Sequence, residues 1–187
     1  MSYGICFIKE NPKIARRMDM YDILTVYHGS TEVVSHPKVD VGRPNLDFGP
    51  GFYVSDIFSQ AKDWANKIAD IRESSPILNI YHLKQRELLS NSSSLIFDAY
   101  NKEWLEFVTK SRLGERPWIG YDYIEGGVAD DRVVNTIRLY MGGYISDEDA
   151  LNRLKYFKPT NQICLLNQKI TDRYLTFVES RSLKNYE

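Results

Sequence analysis

The sequence predicts an α+β fold, because segments typical of strands and of helices are intermixed along its 187 residues. Neither regular βαβ spacing nor a glycine-rich phosphate loop is present in it, which argues against a doubly wound parallel sheet. The length and an ordinary composition, 43% hydrophobic and 26% charged, predict one domain over residues 1–187. Residues 1–20 are hard to place and could form a peripheral extension of that domain.

Six short segments are typical of β-strands, because they are apolar and lie between Gly, Pro, Asn, Asp or Ser residues. The predicted strands are residues 22–27, 52–54, 77–83, 121–124, 161–166 and 174–178. Residues 31–47 and 90–94 are predicted to be loops, since they are rich in turn-forming or polar residues.

The first predicted helix begins at about Ser59, with Asp56 or Ser59 as its cap. Its inward face is predicted to carry apolar residues at helical spacing, namely Ala61, Trp64, Ala65, Ile68 and Ala69. The period of the apolar positions changes from that of a strand to that of a helix at this point.

Three further helices are predicted after residue 100. Residues 101–112 form one, with Trp104, Leu105 and Val108 facing inward. Asp131 can cap the next, which Gly142 and Gly143 end. Its apolar face is Val133, Val134, Ile137, Tyr140 and Met141. Ser146 and Asp149 resemble a capping box for the last, and Pro159 ends that segment.

The composition argues against several classes of protein. The net charge is −1 and the sequence pI is about 6.3, so the overall charge does not indicate a polyanion partner. The two cysteines, Cys6 and Cys164, give neither a disulfide framework nor metal-ligand spacing, so we expect no metal and a reducing cytoplasm. The N-terminus reads as neither a secretory signal nor a membrane span, although secretion without a cleaved signal stays open.

The first candidate site residues are His28, Gly29 and Ser30, at the end of the first predicted strand. Gly29 allows a sharp bend and an accessible backbone amide and carbonyl, which could hold a carboxamide, while the His28 ring could bond a ribose hydroxyl. A single histidine is more often a structural residue with satisfied hydrogen bonds, so that alternative stays open.

A second candidate lies at residues 48–53, Phe-Gly-Pro-Gly-Phe-Tyr. Two glycines around a proline favour a tight turn and let a ligand approach the backbone beside Tyr53. A simple turn that feeds a core strand explains the same pattern. Trp64, eleven residues after Tyr53, has core packing as its alternative.

Together these residues resemble the poly(ADP-ribose) polymerase and diphtheria-toxin-like branch of the ADP-ribosyltransferases. The family's His-Gly-Ser corresponds to residues 28–30, and its Phe-Gly-x-Gly-(Ile/Phe)-Tyr turn to residues 48–53. A small or polar residue and an aromatic follow at the family's spacing, here Ala61 and Trp64. The resemblance implies a split β-sandwich around an NAD cleft with peripheral helices, and NAD as a co-substrate.

The sequence is also similar to a group of bacterial proteins known mainly as a domain of unknown function. They share Tyr-His-Gly-Ser, Asp-Phe-Gly-x-Gly-Phe-Tyr, Ala-x-x-Trp-Ala, Glu-Trp-Leu-x-Phe-Val and a late Asn-Gln strand. These runs stand here at residues 27–30, 47–53, 61–65, 103–108 and 161–162, so the similarity spans most of the chain. It favours a bacterial protein, cytoplasmic or secreted as an effector.

The resemblance implies a role for each matching residue. His28 would bond the nicotinamide ribose and Gly29 would pair with the carboxamide. Tyr53 would stack on the nicotinamide, with Trp64 near its other face. The remaining residues expected to contact NAD are Ser30, Gly51, Phe52 and Ala61. Clamping the ring and the ribose together would orient the glycosidic bond for dissociation.

At the third catalytic position this sequence departs from the family, in which a Glu often follows Asn at the head of a late strand. Here Asn161 is followed by Gln162, and Cys164 does not supply an acid either. Gln162 can bond a ribose hydroxyl or the nucleophile, but it cannot act as a general base. General-base assistance is worth roughly 10²–10⁴-fold, so its loss would slow transfer without necessarily abolishing it.

Another acid could enter the cleft from elsewhere in the chain. The candidates are Asp47, beside the glycine turn, and Glu125, Asp130 and Asp131, around the pair Gly126 and Gly127. A helix cap is the alternative for Asp131, and an Asx turn is the alternative for Asp47.

The leading hypothesis is an NAD-dependent mono-ADP-ribosyltransferase that releases nicotinamide and passes ADP-ribose to a protein, a nucleic acid or a small molecule. NAD glycohydrolysis is a close variant. The alternatives are a module that binds NAD or ADP-ribose without turnover and a structural domain with a degenerate pocket. A role as a bacterial toxin or defence effector, with an antitoxin or immunity protein as partner, is implied by the resemblance alone. No membrane partner is expected.

Overall fold

The computed structural model describes residues 22–43, 45–129, 131–155 and 160–184. Within them, helices and strands are intermixed and the strands form two sheets, so the predicted α+β class is confirmed. The strands are β1 (Leu24–Ser30), β2 (Phe52–Val54), β3 (Ile77–Leu83), β4 (Ser94–Ile96), β5 (Tyr123–Gly126), β6 (Gln162–Leu165) and β7 (Leu175–Ser182). The helices are α1 (Phe58–Arg72), α2 (Gln85–Ser90), α3 (Lys102–Arg112), α4 (Asp131–Met141), α5 (Asp147–Leu154) and α6 (Gln168–Tyr174).

The first sheet has the strand order β1-β3-β7 and is antiparallel. In the second sheet, of order β2-β6-β5-β4, β4 runs parallel to β5 and the other pairs are antiparallel. A single bridge joins β1 to the end of β2: the N–H of Tyr27 lies 2.8 Å from the carbonyl oxygen of Ser55, and the reverse pair lies 2.9 Å apart. The two sheets therefore meet at Tyr27 and Ser55.

Apolar side chains fill the space on both faces of the second sheet. One cluster takes Val26 and Tyr81 from the first sheet and Phe52, Ile163 and Leu165 from the second, so it is the core between the sheets. The opposite face of the second sheet packs against α3, α4 and α5. That outer cluster includes Phe48, Trp104, Ile124, Ile137, Leu154 and Cys164.

Helix α1 covers the outer face of the first sheet. Its buried residues are Ala61, Ala65 and Ala69, which repeat every four positions and let the helix approach the sheet closely. Trp64 was expected on this inward face, and that prediction is wrong, because its side chain is 47% exposed. Neither Asp56 nor Ser59 caps the helix, whose N-cap residue Ile57 makes no side-chain cap bond.

Three short elements differ from the predictions. Residues 90–94 were predicted as loop, but Ser94 begins β4 and pairs with Tyr123. Helices α2 and α6 were not predicted, because each has only one or two turns and too few apolar positions to show a period. Strand β5 is shifted two residues later than predicted and ends at Gly126.

Several other predictions are confirmed. The helix predicted over residues 101–112 is α3, with Trp104, Leu105 and Val108 buried as expected, and Asn101 caps it by accepting a hydrogen bond from the N–H of Trp104. Ser146 and Asp149 form the expected cap of α5, with the N–H of Asp149 lying 3.1 Å from Oγ of Ser146. The predictions for residues 1–20, Asp130, Pro159 and the side chain of Asp131 lie outside the described residues. No helix in the described ranges is both long and apolar enough to cross a membrane.

Candidate functional site

His28 lies near the end of β1, where a backbone carbonyl of β2 orients its ring. Nδ1 lies 2.8 Å from the carbonyl oxygen of Tyr53, and the ring packs on Phe52 with 4.6 Å between centroids. Burial lowers the pKa of His28, against the opposing effect of that hydrogen bond. A carbonyl can only accept, so Nδ1 carries the proton and Nε2 of the neutral ring is an acceptor.

Gly29 presents its backbone at the edge of the first sheet. The N–H and C=O of Tyr27 both bond to Ser55, so they point away from β3. Backbone groups two residues apart in a strand point to the same edge, which aims the N–H and C=O of Gly29 away from β3 as well. A Cβ on Gly29 would lie 2.7 Å from the N of Ala65, and closer still to the carbonyl oxygen of Ala61, so α1 leaves room only for glycine.

One side of α1 faces this edge and the beginning of β6. Gln60 donates from Nε2 to the carbonyl oxygen of Asn161, 2.7 Å away, and accepts from its N–H. Trp64 is four residues on and therefore lies on the same side of the helix. Its ring is half-exposed, with Lys67 Nζ 6.0 Å from the centroid, and the next residue, Ala65, packs against Gly29.

The turn that precedes β2 is fixed by the hydroxyl of Tyr53. This hydroxyl donates to the carbonyl oxygen of Gly49 at 2.7 Å and accepts from the N–H of Phe48 at 3.0 Å. Gly49 has φ +92°, and a Cβ there would strike the ring of Trp118. Burial raises the pKa of Tyr53 well above its usual range, so the phenol stays protonated. The hydroxyl of Tyr53 is thus committed to the turn, and its ring packs against the outer cluster.

Gln162 belongs to a buried polar network around Asp47. Its Nε2 donates to Oδ2 of Asp47 at 3.0 Å and to the carbonyl oxygen of Gly127 at 3.2 Å. Asp47 also forms an ion pair with Arg112, whose Nη2 lies 2.7 Å from Oδ1, and accepts from the N–H of Ala129. The carboxylate predicted as an alternative acid is therefore already engaged.

The strand register shows which predicted residues come together. Tyr53 pairs with Cys164, so Tyr53 and Gln162 project from the same face of the second sheet. Ser55 shares that face and bridges to Tyr27, whose ring contacts Phe58 of α1 at 5.5 Å. Tyr53 and Gln162 thus lie on the face that continues toward α1, at the place where β1 and β2 separate.

Other predicted contact residues are placed differently. Phe52 is buried between the sheets, on the opposite face from Tyr53. Gly51 packs its backbone against β6, where a Cβ would lie 2.6 Å from Sγ of Cys164. Ser30 accepts a bond from the N–H of Glu32 in the following turn. Ala61 is buried against Gly29, so it borders the site only through its backbone.

A second polar cluster, which the sequence did not reveal, lies at the head of β6. Nδ2 of Asn161 is 2.9 Å from Oδ1 of Asp56 and 2.9 Å from Oε1 of Glu125, so its amide bridges two carboxylates. Gln85 and Tyr123 also donate to Glu125. Glu125 pairs with Ile163 and therefore faces the first sheet, on the opposite face from Gln162. The sequence offered Glu125 as an alternative acid and the Asn-Gln pair as a landmark, but not the bridge that Asn161 makes between Asp56 and Glu125.

No set of three His, Cys, Asp or Glu side chains within the described ranges is arranged to hold a metal ion. The groups on the two sides of the Gly29 edge are instead the imidazole of His28, which packs on Phe52, and helix α1 with the exposed indole of Trp64. Such a set suits a planar amide attached to a hydroxylated sugar.

Comparison with protein families assigns the chain to a family. Residues 24–177 match the model described as "Protein of unknown function (DUF3990)", which covers most of the chain, so the protein belongs to that family. The matched range contains the site residues from His28 to Gln162. Searches among curated proteins and among solved structures found no match.

Proposed function

We propose that the protein is an NAD-dependent mono-ADP-ribosyltransferase, which releases nicotinamide and transfers ADP-ribose to an acceptor. The two sheets, joined at Tyr27 and Ser55, would be the split β-sandwich of that superfamily. One observation carries the proposal: the backbone edge of Gly29 and the acceptor nitrogen of His28 lie where β1 separates from β2, and α1, which carries the half-exposed ring of Trp64, packs on Gly29.

Each of these groups matches a part of nicotinamide riboside. A primary carboxamide has one donor and one acceptor on the same edge, as the N–H and C=O of Gly29 do, so the two can form a pair of hydrogen bonds. Trp64 supplies a flat face on which the nicotinamide ring can stack. Nε2 of His28 can accept a hydrogen bond from a ribose hydroxyl.

The reaction would break the bond between C1′ of the ribose and the nicotinamide nitrogen. The bonding electron pair leaves with nicotinamide, which becomes neutral, while positive charge develops on the ribose. The acceptor then attacks C1′. Holding the ring and the ribose at fixed angles favours dissociation, since positioning can remove several kcal/mol of a barrier. Gln162 contributes an amide dipole instead of a full charge, so we expect turnover slower than that of a carboxylate enzyme.

The test is release of nicotinamide from NAD by the purified protein, alone and with bacterial extract as a source of acceptors. Trp64→Ala should reduce the release at least tenfold, because stacking is lost, whereas the control Ile71→Ala changes an exposed apolar residue of the same helix and should have no effect. His28→Ala should also reduce release, with the exposed His82→Ala as its control. The absence of release by folded protein under all these conditions would contradict transferase activity.

The bonds of Gln162 favour one second candidate, a module that binds NAD or ADP-ribose without turnover. No acidic side chain projects next to Gln162 except Asp47, within the described ranges, and Arg112 pairs with Asp47. Both candidates predict that NAD raises the melting temperature. Only the transferase predicts nicotinamide release, so the two measurements together separate them.

A further inference from the structure

We propose that Asp47 is a positioning residue, which holds the side-chain amide of Gln162 in one orientation and requires position 162 to be neutral. The part of this proposal that concerns the ligand rests on the function proposed above. The part that concerns Asp47 stands on the geometry alone.

The two partners of Gln162 determine how its amide is turned. The Asp47 carboxylate and the Gly127 carbonyl, 3.0 Å and 3.2 Å from Nε2, are acceptors. An amide presents two N–H donors on its nitrogen and none on its oxygen, so only the NH₂ group can face them. Both donors are then used, and Oε1 points away from Asp47.

Oε1 of Gln162 has no donor among the described residues. In that part of the chain, Thr109 Oγ1 is the sole fully buried side-chain N or O atom that lacks a partner, so Oε1 keeps some contact with solvent. Gln162 as a whole is only 8% exposed. The result is an acceptor fixed in place on the same face of the second sheet as Tyr53.

Asp47 is itself held in place, so it can impose this orientation. It is 7% exposed and bound by Arg112 from α3 and by the N–H of Ala129. A carboxylate at position 162 would bring two buried negative charges within hydrogen-bond distance and leave the Gly127 carbonyl without a donor. This would account for an amide at the position where the ADP-ribosyltransferases that the sequence resembles often have an acid.

The consequence for ligand binding is an acceptor that needs no rearrangement. A ribose hydroxyl could donate to Oε1, and the negative charge of Asp47 behind the amide would strengthen that bond through polarisation. Asp47 would thus act on the ligand only through Gln162, and it would not touch the ligand itself.

The first arm of the test measures thermal unfolding between pH 4.5 and pH 8. Gln162→Glu should fold less stably than the wild type, and the difference should grow as the pH rises. Asp47 raises the pKa of the introduced carboxyl in the folded state, so folding becomes less favourable once the unfolded chain ionises, at about pH 4.3. Gln162→Met, the matched control, should lose stability by an amount that does not vary with pH.

The charged groups that face position 162 are Asp47 and Arg112. Tyr53 and Cys164 share this face, but burial raises the pKa of both, that of Cys164 to about 12, so they stay protonated over the measured range. Glu125 lies on the opposite face. In an Asp47→Asn background, the pH-dependent penalty of Gln162→Glu should shrink, which a double-mutant cycle would show. A penalty that is independent of pH, or unchanged by Asp47→Asn, would overturn the role of Asp47.

The second arm compares the affinities for NAD and for nicotinamide, which lacks the ribose. Gln162→Met should weaken NAD binding about tenfold, as expected for one lost hydrogen bond, and leave nicotinamide binding unchanged. Equal losses for both probes, or none, would overturn the ligand part of the inference. If the wild type binds neither probe, the proposed function fails, while the first arm still decides whether Asp47 requires a neutral residue.

Discussion

Asn161 and Gln162 are neighbours at the head of β6. Their side-chain amides donate hydrogen bonds to two buried carboxylates on opposite faces of the second sheet. Gln162 donates to Asp47, which forms an ion pair with Arg112. Asn161 donates to Glu125, which also accepts from the neutral groups of Gln85 and Tyr123. The same kind of amide thus donates to a carboxylate paired with Arg112 on one face and to a carboxylate that also accepts from Gln85 and Tyr123 on the other.

The different surroundings of Asp47 and Glu125 indicate different roles for the two faces of the second sheet. The face of the second sheet from which Gln162 projects, here the Asp47 face, continues to α1, Trp64 and the edge of Gly29. On it, the ion pair between Asp47 and Arg112 fixes the position of the neutral Gln162 amide. The Glu125 face looks into the core between the sheets, where Asn161, Gln85 and Tyr123 donate to the carboxylate.

Under the proposed function, Tyr53 and Gln162 would meet the ligand from the Asp47 face, which α3, α4 and α5 also cover. The His28 ring instead packs on Phe52, on the face that joins the sheets.

The largest expected effect comes from removing the cation on the Asp47 face. Arg112→Met should lower the free energy of unfolding by about 3 kcal/mol, because it leaves a buried carboxylate without its counter-charge. Urea unfolding measures the change. The control Arg181→Met removes an exposed pair with Glu179 and should cost less than about 1 kcal/mol. Equal losses for the two variants would show that the Asp47 pair is no more than a surface contact.

Glu125→Gln tests the opposite face and should have a smaller effect. An amide at this position would turn one NH₂ group toward the donors of Asn161 or of Gln85, so at least one hydrogen bond is lost. We expect a loss of about 2 kcal/mol in urea unfolding, with NAD binding intact. A large loss of NAD affinity without a change in stability would instead place Glu125 in the ligand site.

Removing one hydroxyl from each face gives a still smaller effect. Tyr123→Phe takes a donor from Glu125 and should cost about 1 kcal/mol of stability without changing NAD binding. Tyr53→Phe releases the turn at Phe48 and Gly49, so a similar cost should be accompanied by weaker NAD binding. The two variants can be compared by thermal shift with and without NAD. The same response to NAD in both would contradict the assignment of Tyr53, and not Tyr123, to the ligand site.

The smallest expected effect concerns the pH dependence of His28. Burial lowers its pKa from the usual 6.5, so the unfolded chain takes up a proton before the folded protein does. Stability should therefore fall as the pH drops below about 6.5, and His28→Gln should remove this part of the dependence. Matching pH profiles of stability for the wild type and His28→Gln would contradict a neutral buried ring.

The sequence reveals local features of the fold and much less of what joins distant segments. Apolar periodicity predicts β2, β3 and α3, because each carries its own pattern of buried positions. The same periodicity places Trp64 inward by mistake, since an aromatic residue on the flank of an apolar stripe looks like part of it. Helix α6 escapes prediction because only tertiary contacts make so short a helix stable.

For the candidate site, too, the sequence reveals local runs of residues but not the contacts between distant ones. His28, Gly29 and Tyr53 stand out because they lie in short, recognisable runs. The bond between Asp47 and Gln162 joins residues 115 positions apart, and the bond between Asp47 and Arg112 spans 65 positions. No local pattern encodes such pairs. The predicted strand over 161–166 implies that Asn161 and Gln162 project to opposite faces, but only the register shows which face meets the first sheet.

The central claim, a nicotinamide site at the edge of β1, is tested most directly by an NMR titration with nicotinamide. The backbone amide of Gly29 and the indole N–H of Trp64 should shift in proportion to occupancy. The amide of Gly120, where no neighbouring atom lies within 4 Å of a Cβ position, should not shift. In the Trp64→Ala variant the shift of Gly29 should require at least tenfold more nicotinamide. Unchanged Gly29 and Trp64 signals at saturating nicotinamide would contradict the account.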